Sequence, residues 1–225
     1  MKLGFFEGAV VGHSCPTADV IRSGLWTGLK KDNLISSSFL FWHPDHHSSF
    51  LFADCGVNVQ PNSEQLLKIA EQTVSTWNSL FSDPPNLAFL SFSTMGSAKH
   101  DSIEPIQQAV EMFKLKNPDV LCDGELQFDA AWNSDIRKKK APNSNIKEKP
   151  NCFVFPNLHA GNIAYKITQQ IGGYQAYGPL LQGFSKPLMD LSRGSTTKDI
   201  IQTAKIAGTF ANTEFSTYKR GMETT

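Results

Sequence analysis

Apolar and polar positions along this chain fall into blocks that alternate between the helical and the strand period. Residues 17–26, "TADVIRSGLW", place Val20, Ile21, Gly24 and Leu25 at helical spacing, with Pro16 as boundary and Thr17 as a candidate cap. "LISSSFLFW" and "SSFLFADCGV" are rich in β-formers and flank "HPDHH", which predicts a hairpin. Residues 63–81 carry one apolar stripe, Leu66, Leu67, Ala70, Val74 and Trp77, and read as a helix stopped by Pro84 and Pro85. Residues 86–94 form a short apolar strand followed by the loop "MGSAKH". "DSIEPIQQAVEMFKLKN" is a second helix, closed near Pro118. A short buried strand at 120–122 then gives way to helix, and "NCFVFPN" is another strand. "AGNIAYKITQQIGG" is a helix ending on a glycine pair. "YGPLLQGFSKPLMDLSRG" is strand and loop, and a last helix spans about 197–215. Strands alternating with helices at this spacing predict an α/β protein with largely parallel strands.

Composition narrows the class. The 225 residues suffice for one large domain or two small ones, and 40% hydrophobic with 19% charged is ordinary for a soluble globular chain. Lys+Arg and Asp+Glu both number 21, so no basic footprint for nucleic acid exists; the dense run "RKKK" at 137–140 reads as a solvated helix end. Cys15, Cys55, Cys122 and Cys152 form no C-x-x-C pair, which argues against a zinc or redox motif. The opening "MKLGFFEGAVVG" is broken by Glu7 and does not read as a secretory leader. No apolar run approaches the ~20 residues that span a bilayer. The expectation is a cytoplasmic protein with reduced thiols, without a membrane or nucleic-acid partner.

Three features could carry chemistry. "HPDHH" offers His43, Asp45, His46 and His47 as metal ligands, but spacing supplies no further ligand, so a polar hairpin tip is the better expectation. Small polar loops at 93–100, 157–162 and 192–199 follow strands, where α/β sheets bind ligands, and Gly96 and Gly161 would let backbone amides approach a phosphate. In "DLSRGSTTKD", Thr196 is a good N-cap and Asp199 its capping-box acid. The same geometry supports an anion site, with Arg193 and the helix N-terminus holding phosphate, Ser192 donating nearby and Asp199 available as a general base.

"DGELQFDAA", "LSFSTMGSAKH", "GNIAYKI" and "GPLLQGFSKPLMDLSRG", with "FADCGVN" and "TADVIR" in the same order, resemble the phosphate acetyltransferases (phosphotransacetylases). The resemblance runs from about Gly8 to about Gly208. It implies a three-layer α/β/α, two-domain architecture like that of isocitrate and isopropylmalate dehydrogenases. It also implies reversible acetyl transfer between coenzyme A and inorganic phosphate, through acetyl phosphate. That transfer is direct, in a ternary complex, with no metal and no cofactor beyond coenzyme A as substrate. Asp199 then matches the base that takes the thiol proton. Ser192 matches the donor to the reacting carbonyl, and Arg193 the phosphate-holding arginine. Arg22 matches a second arginine of the cleft. Gly161 and Asn162 fall in a substrate-binding motif, and Cys55 matches a cysteine near the site that is not the nucleophile.

Departures from the family pattern accompany this. Met95 replaces a commonly polar or basic residue, Asn157 and His159 replace an acidic pair, and "HPDHH" reads as an insertion. Most of the family's N-terminal part, with a further arginine, has no counterpart before "TADVIR". The family architecture assigns 45–175 to a complete α/β domain, and 1–44 plus 176–225 to an incomplete other one. Its uncovered apolar faces point to a homodimer or a partner chain supplying the missing half, or else to a catalytically impaired remnant that binds coenzyme A. A dehydrogenase of similar architecture is disfavoured, because no dinucleotide fingerprint or acidic metal set is present.

Overall fold

The structure, a computed structural model, describes residues 1–30, 34–46 and 48–222, with side chains described up to residue 212. Its strands are β1 (Ala9–Val11), β2 (Ser36–His43), β3 (Ser48–Ala53), β4 (Asn86–Leu90), β5 (Leu121–Leu126), β6 (Cys152–Val154), β7 (Gln175–Gln182) and β8 (Leu188–Asp190). The helices are α1 (Thr17–Gly24), α2 (Ser63–Leu80), α3 (Glu104–Lys116), α4 (Phe128–Trp132), α5 (Ser134–Lys140), α6 (Leu158–Gln170) and α7 (Thr197–Met222). The strands join one sheet in the order β1-β8-β7-β2-β3-β6-β4-β5.

The sheet is mixed rather than largely parallel. β1–β8, β3–β6, β4–β6 and β4–β5 pair parallel, but β2 pairs antiparallel with both β3 and β7, and β7 antiparallel with β8. The reason is connection length. The β2–β3 and β7–β8 links are too short to hold a crossover, which needs a dozen or more residues. The domain boundaries expected at 45 and 175 fall in the β2–β3 turn and at the start of β7, and the sheet runs unbroken across both.

Helices cover both faces, giving three layers. On one face Leu66, Ile69, Ala70 and Trp77 of α2, Ala109 and Phe113 of α3 and Ala207 of α7 pack on Leu40, Leu51, Leu87 and Leu180. The opposite face is aromatic. Phe39, Phe41, Phe50, Phe52, Phe153 and Phe155 pack with Ala130 and Ala131 of α4 and, at their edge, Ala160 and Ala164 of α6. A smaller cluster places Val20 of α1 on Leu181, Phe184 and Leu188. Asn62 and Gln65 close a reciprocal capping box at the start of α2. Thr17, by contrast, caps nothing; Pro16 stands at the cap position of α1.

Two buried polar groupings stitch these layers. Between β2, β7 and α2, the Ser36 hydroxyl bonds Gln72 and, at 2.8 Å, Gln182. The Gln182 amide donates to Thr76 at 2.7 Å and Ser38 at 3.2 Å, and Gln72 donates to the Leu34 carbonyl at 2.6 Å. Below the loop after β4, the buried Glu125 carboxylate accepts from Ser93 Oγ (2.8 Å), Gly96 N (2.7 Å) and Gln107 Nε2 (2.9 Å). Burial alone would raise the pKa of Glu125, but these donors together outweigh it and hold the carboxyl below its usual range.

Two predictions follow the polar groups. Gln182→Leu strands buried partners in Ser36, Ser38 and Thr76 and is expected to lose about 1–3 kcal/mol, read as a lower urea midpoint at unchanged slope. Glu125, with its folded pKa depressed, contributes stability that is present above the unfolded carboxylate value of ~4.3 and lost as pH falls through the folded one. Glu125→Gln is therefore expected to flatten the pH dependence of unfolding in the acid range while lowering stability at neutral pH. Parallel acid-unfolding curves for the two proteins would contradict that role.

Candidate active site

β8 ends at the buried Asp190, and the chain then runs through Leu191 into an exposed loop, Ser192 to Thr196, that opens α7. A tight turn, Ser195 N to Ser192 O at 2.9 Å, shapes this loop, and Gly194 N donates to Ser192 Oγ at 3.3 Å. That bond uses the hydroxyl as acceptor and leaves its proton free to be donated outward. Arg193 is exposed and makes no ion pair among the described residues. The expected capping box is present. Asp199 N donates to Thr196 Oγ1 at 3.3 Å, and Thr196 N and Oγ1 both reach Asp199 Oδ2 at 2.8 Å. All three bonds spare Asp199 Oδ1, so capping and proton acceptance use different oxygens of one carboxylate. The loop thus presents a hydroxyl, a guanidinium, a helix N-terminus and a carboxylate oxygen within eight residues of chain.

α1 joins this region through a side chain. Thr17 Oγ1 donates to Asp190 Oδ2, a contact between residues far apart in sequence, and α1 then lies along β8, with Gly24 against Leu188 and Phe184. A Cβ on Gly24 would come within 2.5 Å of the Leu188 side chain, so only glycine permits this packing. Arg22 lies five residues, about 7.5 Å of helix axis, beyond Thr17. It pairs with Asp19 at 2.5 Å on an open surface. Such exposed pairs are worth little, about 0–1 kcal/mol, so Arg22 can exchange Asp19 for an anionic ligand.

Spacing missed two neighbours of this loop, Asp190 and Tyr177. Asp190 stands in the quoted motif, but only its burial and its link to Thr17 reveal it. The Tyr177 phenol bonds Gln175, and burial together with the charge of Asp199 pushes its pKa up, so it lies within electrostatic range of Asp199. A tyrosine within a strand carries no signal for such proximity.

The structure does not gather the three small loops into one site. Ala53, Ser38, Leu180 and Met189 form one row across four strands. From that row Cys55 and the loops at 93–100 and 157–162 leave in one direction, and Ser192 leaves in the other, because β8 is antiparallel to β7 and β7 parallel in direction to β3. Three strand spacings, about 14 Å, separate β3 from β8 in addition. Gly161 is buried and serves packing. A Cβ there would meet the Asp54 carbonyl at 2.4 Å, and its N–H is spent on the Asn157 carbonyl. Asn162 donates to the Cys55 carbonyl at 3.1 Å. The Gly96 N–H already holds the Glu125 carboxylate, an internal anion where a phosphate was expected.

His43 and His46 stack at 4.3 Å and His43 meets Tyr174, which makes a hairpin tip; His47 lies outside the described residues. No group of three or more metal-ligating side chains occurs among the described residues. Within "RKKK", Arg137 is not solvated but buried, donating to the carbonyls of Ala130, Ala131, Ile146 and Glu148, while Lys138 and Lys140 pair with Asp135 and Asp129. The thiols of Cys55, Cys122 and Cys152 are buried, and burial pushes their pKa up, to about 12 for Cys122, so none is primed as a nucleophile. No described helix is long and apolar enough to cross a membrane.

Comparison with known proteins supplies the family. The phosphate acetyltransferase of Bacillus subtilis is 43% identical over 203 residues, covering 90% of this chain and 62% of the relative. That of Clostridium acetobutylicum is 42% identical over 215 residues, covering 92% and 64%. The chain therefore spans under two thirds of these curated relatives. Among solved structures, a phosphotransacetylase from Streptococcus pyogenes superposes with a TM-score of 0.88 at 41% identity, over 93% of this chain and 64% of that one. With the profile of phosphate acetyl/butaryl transferases matching residues 1–208, the chain belongs to that family.

Proposed function

We propose that this chain carries out reversible acetyl transfer between coenzyme A and inorganic phosphate, with acetyl phosphate as the second acyl carrier. The observation that carries the proposal is the 192–199 segment: an exposed Ser192, an Arg193 without an ion pair among the described residues, and Asp199 with one oxygen outside the capping box. In the direction of acetyl-CoA formation, Asp199 Oδ1 takes the proton of the coenzyme A thiol. A free thiol titrates near ~8.5, so a positioned base enlarges the thiolate fraction at neutral pH. The sulfur attacks the carbonyl carbon; a C–S bond forms and the C–O bond to phosphate breaks. Ser192 donates to the carbonyl oxygen as negative charge gathers there, and Arg193, with Arg22, receives the departing phosphate. The proton passes from Asp199 to phosphate or water. Neither a metal nor a covalent acyl-enzyme enters the scheme, and the coenzyme is a substrate. Gly161, Asn162 and Cys55 act at a distance, holding the 54–58 turn.

Exposed apolar side chains favour a second component of the proposal. Leu3, Phe5, Phe6, Leu25 and Trp26 are exposed, Trp26 to 79%, which suits burial against a second polypeptide, either another copy or a chain completing the 1–44 plus 176–225 part. A chain that needs such a partner is impaired alone, the alternative of a coenzyme A-binding remnant.

Mixing the protein with acetyl phosphate and coenzyme A, and following thioester absorbance, tests the chemistry. Asp199→Asn preserves an acceptor for Thr196 and is expected to lower the rate by ~10²–10⁴-fold with little change in thermal stability; an unchanged rate removes Asp199 from the role of base. Sedimentation is expected to show self-association, with specific activity rising with protein concentration. A fully active monomer would count against the need for a partner.

A further inference from the structure

We propose that Asp190 is a positioning residue that clasps the start of α1 to the end of β8, and thereby fixes the loop that presents Arg193 to a phosphate-bearing ligand. The inference rests on the transferase reading for the identity of that ligand, and on the Thr17–Asp190 bond for the clasp. Asp190 is 2% exposed. One of its oxygens accepts the Thr17 hydroxyl, while the other, Oδ1, has no hydrogen-bond partner among the described residues. Buried carboxylate oxygens are ordinarily bonded, so an orphan here marks an arrangement retained against a penalty.

Gly12 explains how the orphan is enclosed. Gly12 has φ +100, and a Cβ built on it would stand 1.7 Å from Asp190 Oδ1 and 2.9 Å from Leu191 N. The loop between β1 and α1 therefore closes directly over the carboxyl and leaves no room for a side chain. Leu191 N in turn donates to Val11 O at 2.8 Å, so β1, the loop, α1 and β8 converge on this one group.

The placement matters for charge. Burial pushes the pKa of Asp190 up, partly offset by the Thr17 hydroxyl and the Leu191 amide. Arg193, three residues on, is exposed and makes no ion pair among the described residues. A solvent-facing aspartate at this point would offer Arg193 an internal partner in place of a phosphate. Asp190 acts through the loop that carries Arg193 and does not touch the ligand.

The test separates the clasp from the chemistry by measuring binding. Acetyl phosphate and coenzyme A are titrated separately, by calorimetry, into the unsubstituted chain, Thr17→Val, Thr17→Ser, Asp190→Asn and Arg193→Ala. Thr17→Val, which keeps shape but loses the donor, is expected to weaken acetyl phosphate about tenfold while coenzyme A is unaffected; Thr17→Ser restores it. Asp190→Asn retains an acceptor for Thr17 and is expected to stay within about threefold of the unsubstituted chain. Equal acetyl phosphate affinity in a folded Thr17→Val protein overturns the clasp, as does a parallel loss for both ligands. Should Thr17→Val fail to fold, Asp190→Asn decides, because a tenfold loss there makes charge rather than the clasp responsible. Failure of the transferase reading looks different: the unsubstituted chain does not bind acetyl phosphate, or Arg193→Ala binds it equally well.

Discussion

β2 is hydrogen-bonded along both edges to strands that run against it, and the placement of every loop follows from that. A sheet wound only from crossovers would send all its strand ends, and hence its ligand-binding loops, to one rim. Here the reversal at β2 divides the ends. The loops after β3, β4 and β6 open at one rim, and the loop after β8 opens at the other. The buried amide and hydroxyl cluster at Ser36, Ser38, Gln72, Thr76 and Gln182 sits on this reversal. Its donors and acceptors fit only one register of β2 against β7. A slip by one residue would turn the hydroxyls toward the aromatic face and leave the glutamines without partners.

The same constraint separates two small polar loops that look alike as text. The 93–100 loop is closed by Glu125, so its amides are already satisfied and its shape is set from below. The 192–199 loop has no such internal anion. Its guanidinium faces solvent, and its only carboxylate is half committed to a helix cap. Polar side chains held by the fold are ready to support a neighbour, whereas those left unpaired are ready to meet a ligand.

Much of this was legible beforehand. The stripe of Leu66, Ala70, Val74 and Trp77 predicted α2 almost to its ends, and two stretches rich in β-formers around a polar turn predicted the β2–β3 hairpin. The Thr196–Asp199 box could be read directly, because a capping box is local and its spacing is fixed by helix geometry. What stayed hidden was non-local. Nothing in "DLSRG" says that Asp190 meets Thr17 on another element, nor that Gly96 and Gly161 are taken up by Glu125 and the Asp54 carbonyl. Arg137 was misjudged for the same reason. A basic run looks solvated until the carbonyls of a distant loop close around one member of it. Strand direction was likewise invisible at β7, which runs antiparallel to both β2 and β8.

The distribution of sulfur gives the molecule one further property. Three of its four thiols lie in the interior, and Cys15 alone is partly open, in the loop whose Gly12 covers Asp190. A bulky maleimide dye offered to the native protein would therefore attach at a single place, a few residues from α1. The chain carries its own attachment point for a fluorescent reporter.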